Sequence, residues 1–120
     1  MNVLIVALGG GLGSAARYAV SRLVPSVAFP FGTFTVNVIG CLLLGVVTGW
    51  LDRHSQGGEC MRLFLIVGFC GGFTTFSTFV NEGAGLISSS RLLVAALYLA
   101  ASAAVGFAAL IAGLKIGKCL

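Results

Sequence analysis

A run of small, hydroxyl-bearing and aromatic residues, GFCGGFTTFSTF at positions 68–79, interrupts an otherwise apolar stretch. Glycine is a poor helix former, and Ser and Thr side chains can hydrogen-bond backbone groups that a helix would otherwise satisfy. Inside a membrane, a broken helix is tolerated only where it is buried in protein or lines a cavity. We therefore predict a functional break at Gly71–Gly72. The alternative is a continuous helix whose hydroxyls bond back to the preceding turn and whose glycines pack against a neighbour.

Three phenylalanines in this run recur every third residue, at Phe73, Phe76 and Phe79. Such a face usually packs in a core or against lipid. An aromatic ring also carries a positive edge, which can contact a dehydrated anion. The neighbouring hydroxyls of Ser77 and Thr78 can donate hydrogen bonds to the same ion. The run therefore has the groups of an anion pathway, with simple packing as the alternative.

Three further polar residues stand alone in apolar segments. The Asn37 amide can donate to an anion, or it can join two helices. Tyr98 and Ser102 are four residues apart, so on a helix they face the same way. No carboxylate falls in the middle of an apolar segment, which argues against a proton-coupled cation pump, since such a pump usually needs one.

The elements that must position these residues are membrane helices. The 120 residues are 58% hydrophobic and only 8% charged, with a mean hydropathy of +1.11, whereas about a quarter of the residues in a soluble domain are charged. Four apolar segments approach the roughly 20 residues needed to cross a bilayer. We predict one all-α transmembrane domain over residues 1–120, with four helices at about 3–23, 31–51, 62–86 and 91–115.

Basic residues divide almost evenly between the two sides of the membrane. Four spans put both termini and the second connector on one side, with Arg53, Arg62, Lys115 and Lys118, and leave Arg17, Arg22 and Arg91 for the other. The positive-inside rule therefore selects no orientation. Either both orientations insert and form a dimer of opposed copies, or the rule is weakly obeyed here. These scattered charges make no nucleic-acid surface.

Small residues and cysteines suggest packing. Gly9 and Gly13 share one helix face with Arg17, and Gly45 shares another with Gly49, so these faces predict close helix contacts. The four cysteines form no CxxC pair and no metal-ligand spacing with the single histidine. We interpret them as small apolar side chains.

Three stretches resemble the Fluc (CrcB-type) fluoride channels of microbes. GGGLGSAARY at 9–18, GTFTVNVIGCLLLG at 32–45 and GFCGGFTTFSTF at 68–79 look like the first-, second- and third-helix signatures of that family, in its order and spacing. The resemblance covers essentially the whole chain. It implies a passive, fluoride-selective channel in the cell (plasma or inner) membrane, not an enzyme, which exports fluoride and so reduces its toxicity. It also implies an antiparallel, dual-topology homodimer with two pores.

The resemblance assigns roles to individual residues. It implies that Asn37 lines the pore, that Phe76 and Phe79 contact fluoride, and that Arg17 lies near an aqueous vestibule. The polar side chains along the pore would be Ser77, Thr78, Tyr98 and Ser102. For Arg17, the alternative is a side chain that snorkels to the surface and only sets helix depth. Glu82 fits an acidic position of the family, where capping of a helix end or solvation is an equal explanation.

The break also raises the expectation of a bound cation. It frees carbonyl groups, and from the sequence no nearby side chain carries a positive charge to meet them. Four such carbonyls meeting at a two-fold axis would suit a small hard cation. The resemblance implies a structural Na⁺ that is not transported, held by the backbone carbonyls of Gly71 and Thr74.

Two other functions fit the length and span count. A small dual-topology multidrug exporter would have four helices, but it would need a membrane carboxylate, typically early in the first helix, and positions 3–16 contain none. A packing or assembly subunit would use the glycine faces, yet it leaves Asn37 and the Ser/Thr cluster without a purpose.

Overall fold

The computed structural model describes residues 1–54 and 57–120, and every regular element in these ranges is helical. Four helices are long and apolar enough to cross a membrane, which confirms the predicted spans. They are α1 (Asn2–Leu23), α2 (Phe31–Arg53), α3 (Glu59–Ser88) and α4 (Leu92–Cys119). The sequence placed the start of α3 slightly too late and the end of α4 too early, because both helices continue into residues that bear charges.

Helices α2 and α4 are held together by glycines on both partners. A Cβ atom built on Gly45 would collide with the carbonyl oxygen of Leu110, and one built on Gly113 would collide with that of Leu42. Gly49 and Gly117 repeat this arrangement one turn further on. The two backbones therefore approach so closely that only glycine fits, which is the small-residue packing that substitutes for a hydrophobic drive in lipid.

Helix α1 packs in the same way on the first part of α3. A Cβ on Gly9 would collide with the carbonyl oxygen of Phe64, and one on Gly13 with that of Phe69. From the α3 side, a Cβ on Gly72 would collide with the carbonyl oxygen of Gly10. As the small-residue face predicts, α1 is therefore close enough to reach the middle of α3 with its side chains.

Helix α3 is broken, as predicted, but the glycine pair is not where it breaks. Residues Leu63–Cys70 are wound as a π-helix, and the helix then continues through Gly71–Phe73. Gly71 itself has helical angles, φ −62° and ψ −39°, whereas Thr74 is extended, with φ −82° and ψ 161°. A second half-helix begins at Ser77. The glycines permit the approach of α1, and the chain leaves the helix just after them.

The outer surface of the single chain is apolar along the membrane-facing helices. On α1, the exposed fractions of Leu4, Leu8 and Leu12 are 64%, 66% and 57%, and their four-residue spacing makes one continuous stripe. Such a surface is suited to lipid or to another membrane chain.

Candidate functional site

The backbone groups freed by the break are met by side chains of two other helices. From α2, the Asn37 Nδ2 atom donates to the Thr75 carbonyl oxygen at 3.0 Å, and Asn37 Oδ1 accepts from the Thr75 N–H at 2.8 Å. One amide thus satisfies both polar groups of a single peptide residue, and Thr75 is buried. Asn37 therefore joins α2 to the non-helical segment of α3 and holds that segment in place, which is the alternative role given to this amide from the sequence. The amide retains a second N–H donor.

From α1, two side chains donate hydrogen bonds to carbonyl groups just before the break and at it. Ser14 Oγ donates to the Gly72 carbonyl oxygen at 3.4 Å, and Arg17 Nη1 donates to that of Thr74 at 3.1 Å. The expectation that no positive charge meets the freed carbonyls is therefore wrong. It failed because the close approach of α1 to α3 is a tertiary feature. Arg17 is partly buried here and does not simply snorkel to the surface.

The threonines of the break also bond within α3. Thr74 Oγ1 donates to the Cys70 carbonyl oxygen at 3.0 Å, one turn back. Thr75 Oγ1 accepts from the Thr78 N–H at 3.3 Å, at the start of the second half-helix. The Cys70 carbonyl oxygen also accepts from the Thr74 N–H, so the Thr74 hydroxyl adds a second hydrogen bond there. The Thr75 hydroxyl, in contrast, supplies a partner for a backbone N–H at the start of the second half-helix.

A cavity of about 420 Å³ lies against the break. Its walls bring together six of the residues selected from the sequence: Asn37, Gly71, Thr74, Phe76, Phe79 and Ser102. Most of the remaining lining is apolar. The Ser102 hydroxyl oxygen is buried and has no hydrogen-bond partner among the described residues. The cavity therefore offers neutral hydrogen-bond donors and aromatic rings within an apolar wall, which suits a small anion that has lost its water.

Other predicted site residues lie outside this cavity wall. Ser77 and Thr78 are exposed on the single chain, and 77% of Phe76 is exposed although it borders the cavity. Tyr98 is fully buried, and its ring meets the Phe79 ring edge-on, with centroids 5.1 Å apart. Phe76 and Phe79 are neighbours, with centroids 6.1 Å apart.

A carboxylate lies inside α3, at Glu82, within the helix predicted at about 62–86. Glu82 Oε1 accepts from Thr33 Oγ1 at 2.8 Å, and Glu82 Oε2 accepts from the Tyr98 hydroxyl at 2.9 Å. Neither partner was predicted, because both lie on other helices and far away in sequence. Thr33 could have been predicted as a site residue from its spacing, because Thr33 and Asn37 are four residues apart and share one face of α2.

Glu82 also borders a second cavity of about 310 Å³. This cavity lies where α2 and α4 begin and the second half of α3 ends, and its lining includes Ser26, Ser89 and Arg91. The Arg91 guanidinium donates to the Ala28 carbonyl oxygen. Phe79 lines the first cavity and Glu82 the second, and Tyr98 contacts both of these side chains.

The oxygen atoms at the break are the groups that could be ligands of a sodium ion. No group of three or more His, Cys, Asp or Glu side chains that could hold a metal occurs in residues 1–54 and 57–120. Carbonyl oxygens are suitable ligands for a hard cation, and Gly71 lines the cavity at the break. The Thr74 carbonyl oxygen keeps one lone pair after accepting from Arg17. The two carbonyls fit sodium in chemistry, and further oxygens would have to come from a second copy.

The amino-acid sequence is similar to those of known proteins. Residues 4–114 match the family described as CrcB-like protein, Camphor Resistance (CrcB). A protein of Novosphingobium aromaticivorans named fluoride-specific ion channel FluC is 49% identical over an alignment of 116 positions, which covers 92% of this chain and 91% of the relative. Fluoride-specific ion channel FluC 2 of Rhodococcus jostii is 45% identical over 117 residues, and the alignment covers 97% of this chain and 98% of the relative.

Similarity at a lower identity also covers almost the full length. The protein named fluoride-specific ion channel FluC of Flavobacterium psychrophilum is 41% identical over an alignment of 120 positions, which covers 98% of this chain and 97% of the relative. The matched residues include α1, α2, the broken α3 and most of α4. The chain therefore belongs to the CrcB-like family.

Proposed function

We propose that this chain forms a passive, fluoride-selective channel that lets fluoride leave the cell and so limits its toxicity. The observation that supports this most is the cavity at the α3 break, where neutral donors and aromatic rings line an apolar wall. Its relatives are named fluoride-specific ion channels. No catalytic step is needed, because a negative-inside voltage favours anion exit by about 2.3 kcal/mol per charge per 100 mV.

Each polar residue has a part in this proposal. Asn37 offers its remaining N–H to the ion while its other groups hold Thr75. Phe76 and Phe79 present ring edges, and Ser102 supplies a hydroxyl that has no partner among the described residues. Ser77, Thr78 and Tyr98 extend the polar track, and Arg17 attracts anions towards the break from the α1 side.

The functional unit is proposed to be an antiparallel homodimer in the cell membrane. Balanced basic residues allow both orientations to insert, and Ser77, Thr78 and Phe76 are exposed on one chain, so they are available to line a path with a partner copy. Adding lysines to one terminus tests this, since single-orientation insertion would then abolish flux unless an oppositely biased copy is present. A terminus found on only one face of the membrane in the active, unmodified protein would contradict it.

A structural Na⁺ is proposed at the centre of the dimer, held by the carbonyl oxygens of Gly71 and Thr74. When bound, it would supply a fixed positive charge between two anion pathways. Arg17 already contributes positive charge at Thr74, so the cation would add to it. The test is to replace Na⁺ with a large organic cation during purification and to measure dimer dissociation as well as flux; an unchanged dimer and unchanged flux would exclude a sodium requirement.

The experiment that tests the channel is fluoride efflux from liposomes containing only the purified protein. Vesicles are loaded with potassium fluoride, the charge is compensated with a potassium ionophore, and release is read with a fluoride electrode. We expect rapid efflux that needs no proton gradient, and much slower efflux of chloride. Efflux no faster than from empty liposomes would refute the proposal.

Proton-coupled export of a cationic drug is the second candidate, and one observation favours it. Glu82 is a carboxylate within a membrane helix, and such residues commonly mark proton relays. It does not lie in α1, and both of its oxygens already accept hydrogen bonds. In the same liposomes, drug uptake driven by a proton gradient, without fluoride efflux, would favour this function.

A further inference from the structure

Two cysteine thiols belong to the wall of the larger cavity, from two different helices. Cys41 is on α2, one turn after Asn37, and Cys70 is on α3, in the turn before the break. Both cysteines are free. The two remaining cysteines, Cys60 and Cys119, are exposed near helix ends, away from the cavity lining. The chain therefore contains one pair of thiols in the proposed ion path and a matched pair outside it.

Cys41 is the more accessible of the two cavity thiols. It is partly exposed, whereas only 4% of Cys70 is exposed. A Cβ built on Gly106 of α4 would lie 3.4 Å from the Cys41 sulfur, so this sulfur faces α4 one turn beyond Ser102. A group attached to it would occupy space between the Asn37 side of the cavity and the Ser102 side.

The character of the cavity selects the reagent. Its wall is largely apolar and offers no carboxylate, so a neutral, polarisable molecule enters it more readily than a charged one. Sulfur is a soft ligand and prefers soft metals. Ser102, whose hydroxyl oxygen has no partner among the described residues, lines the same space.

We propose that Cys41 is a modification site for neutral organomercury halides, and that the adduct obstructs ion flux. The second half of this statement rests on the proposed function, and the first does not. In the reaction with methylmercury chloride, the S–H and Hg–Cl bonds break and an S–Hg bond forms. The proton and chloride leave together as HCl into the water, and no oxidant or reductant is consumed.

The experiment uses the full chain in liposomes, treated with methylmercury chloride. Intact-protein and peptide mass spectrometry map the adducts, and fluoride efflux is compared with each variant's own untreated value. We expect an adduct on Cys41 and at least a tenfold loss of efflux in the unmodified protein. Dithiothreitol should remove the mercury and restore the flux.

Matched variants separate the cavity thiols from the exposed ones. The double variant Cys60→Ala/Cys119→Ala should remain fully sensitive, and Cys41→Ala should lose most of the sensitivity. Cys70→Ala should remain sensitive, because Cys41 is still present. A Cys41→Ala protein that stays sensitive would assign the effect to another residue and overturn the proposal.

Two further outcomes are decisive. If Cys60 and Cys119 react completely while Cys41 carries no mercury, the modification site is wrong. If Cys41 is modified and fluoride efflux is unchanged, the obstruction is wrong. Failure of the proposed function is a different result, since untreated protein would then show no fluoride efflux while the adduct map could still be read.

Discussion

Removing the Asn37 side chain should disrupt the break in α3 as well as the ion path. Asn37 meets both the N–H and the carbonyl group of Thr75, at 2.8 and 3.0 Å. In Asn37→Ala both groups lose their partner. In Asn37→Asp the acceptor remains, but a carboxylate oxygen replaces the donor and faces the Thr75 carbonyl oxygen. The carboxylate would also repel an anion in a poorly screened site.

The size of the effect follows from the burial of Thr75, of which 8% is exposed. A buried polar group left without a partner costs about 1–3 kcal/mol, so the two groups together cost about 2–6 kcal/mol unless water enters from the cavity. Even about 2 kcal/mol is roughly a thirtyfold change in the population of the intact break. We therefore expect at least a tenfold loss of fluoride efflux in Asn37→Ala, and a larger loss in Asn37→Asp.

The assay combines fluoride efflux from liposomes with the unfolding temperature in detergent. Thr35→Ala, on another face of α2, is the control, because Thr35 makes none of these hydrogen bonds. A lower unfolding temperature together with lost flux would show that Asn37 supports the break. If Asn37→Ala kept both its unfolding temperature and its flux, the inferred role of the clamp on Thr75 would be refuted.

Three other changes test separate parts of the structure. Phe79→Ile and Phe76→Ile keep apolar volume but lose the ring edge, so each should reduce fluoride efflux without lowering the unfolding temperature; normal efflux in both would return these rings to simple packing. Gly113→Val places a side chain against an α2 carbonyl and should destabilise the protein by about 1–3 kcal/mol or more. The control Gly11→Val, at a position with open space around it, should not be destabilised. Equal unfolding temperatures of the two variants would contradict the close α2–α4 contact. Arg91→Gln should lower fluoride efflux at low ionic strength. Near 1 M salt, where the Debye length is about 3 Å, its efflux should equal that of the unmodified protein. A loss of efflux that does not depend on salt would mean that Arg91 only holds the connector.

The sequence alone was sufficient for the membrane spans. A chain with 58% hydrophobic residues and four long apolar segments that carry few charges is expected to form membrane helices, because backbone groups in lipid must bond within their own segment. The polar run in the third segment also predicted a break, because two adjacent glycines and four hydroxyl residues together disfavour an uninterrupted helix. Local composition was enough for these conclusions because each depends on one segment at a time.

The partners of the break were decided by tertiary structure. Gly71 and Gly72 looked like the hinge, but they lie in the helix, and the bend falls at Thr74 because α1 packs closely on Gly72 and places Arg17 at the next free carbonyl. For Glu82 the sequence suggested capping of a helix end or solvation, whereas Thr33 and Tyr98, far away in sequence, donate to its carboxylate. A hydrogen bond between helices depends on the distance and rotation of two segments, and glycine contacts between backbones set both. No property of a single segment contains that information.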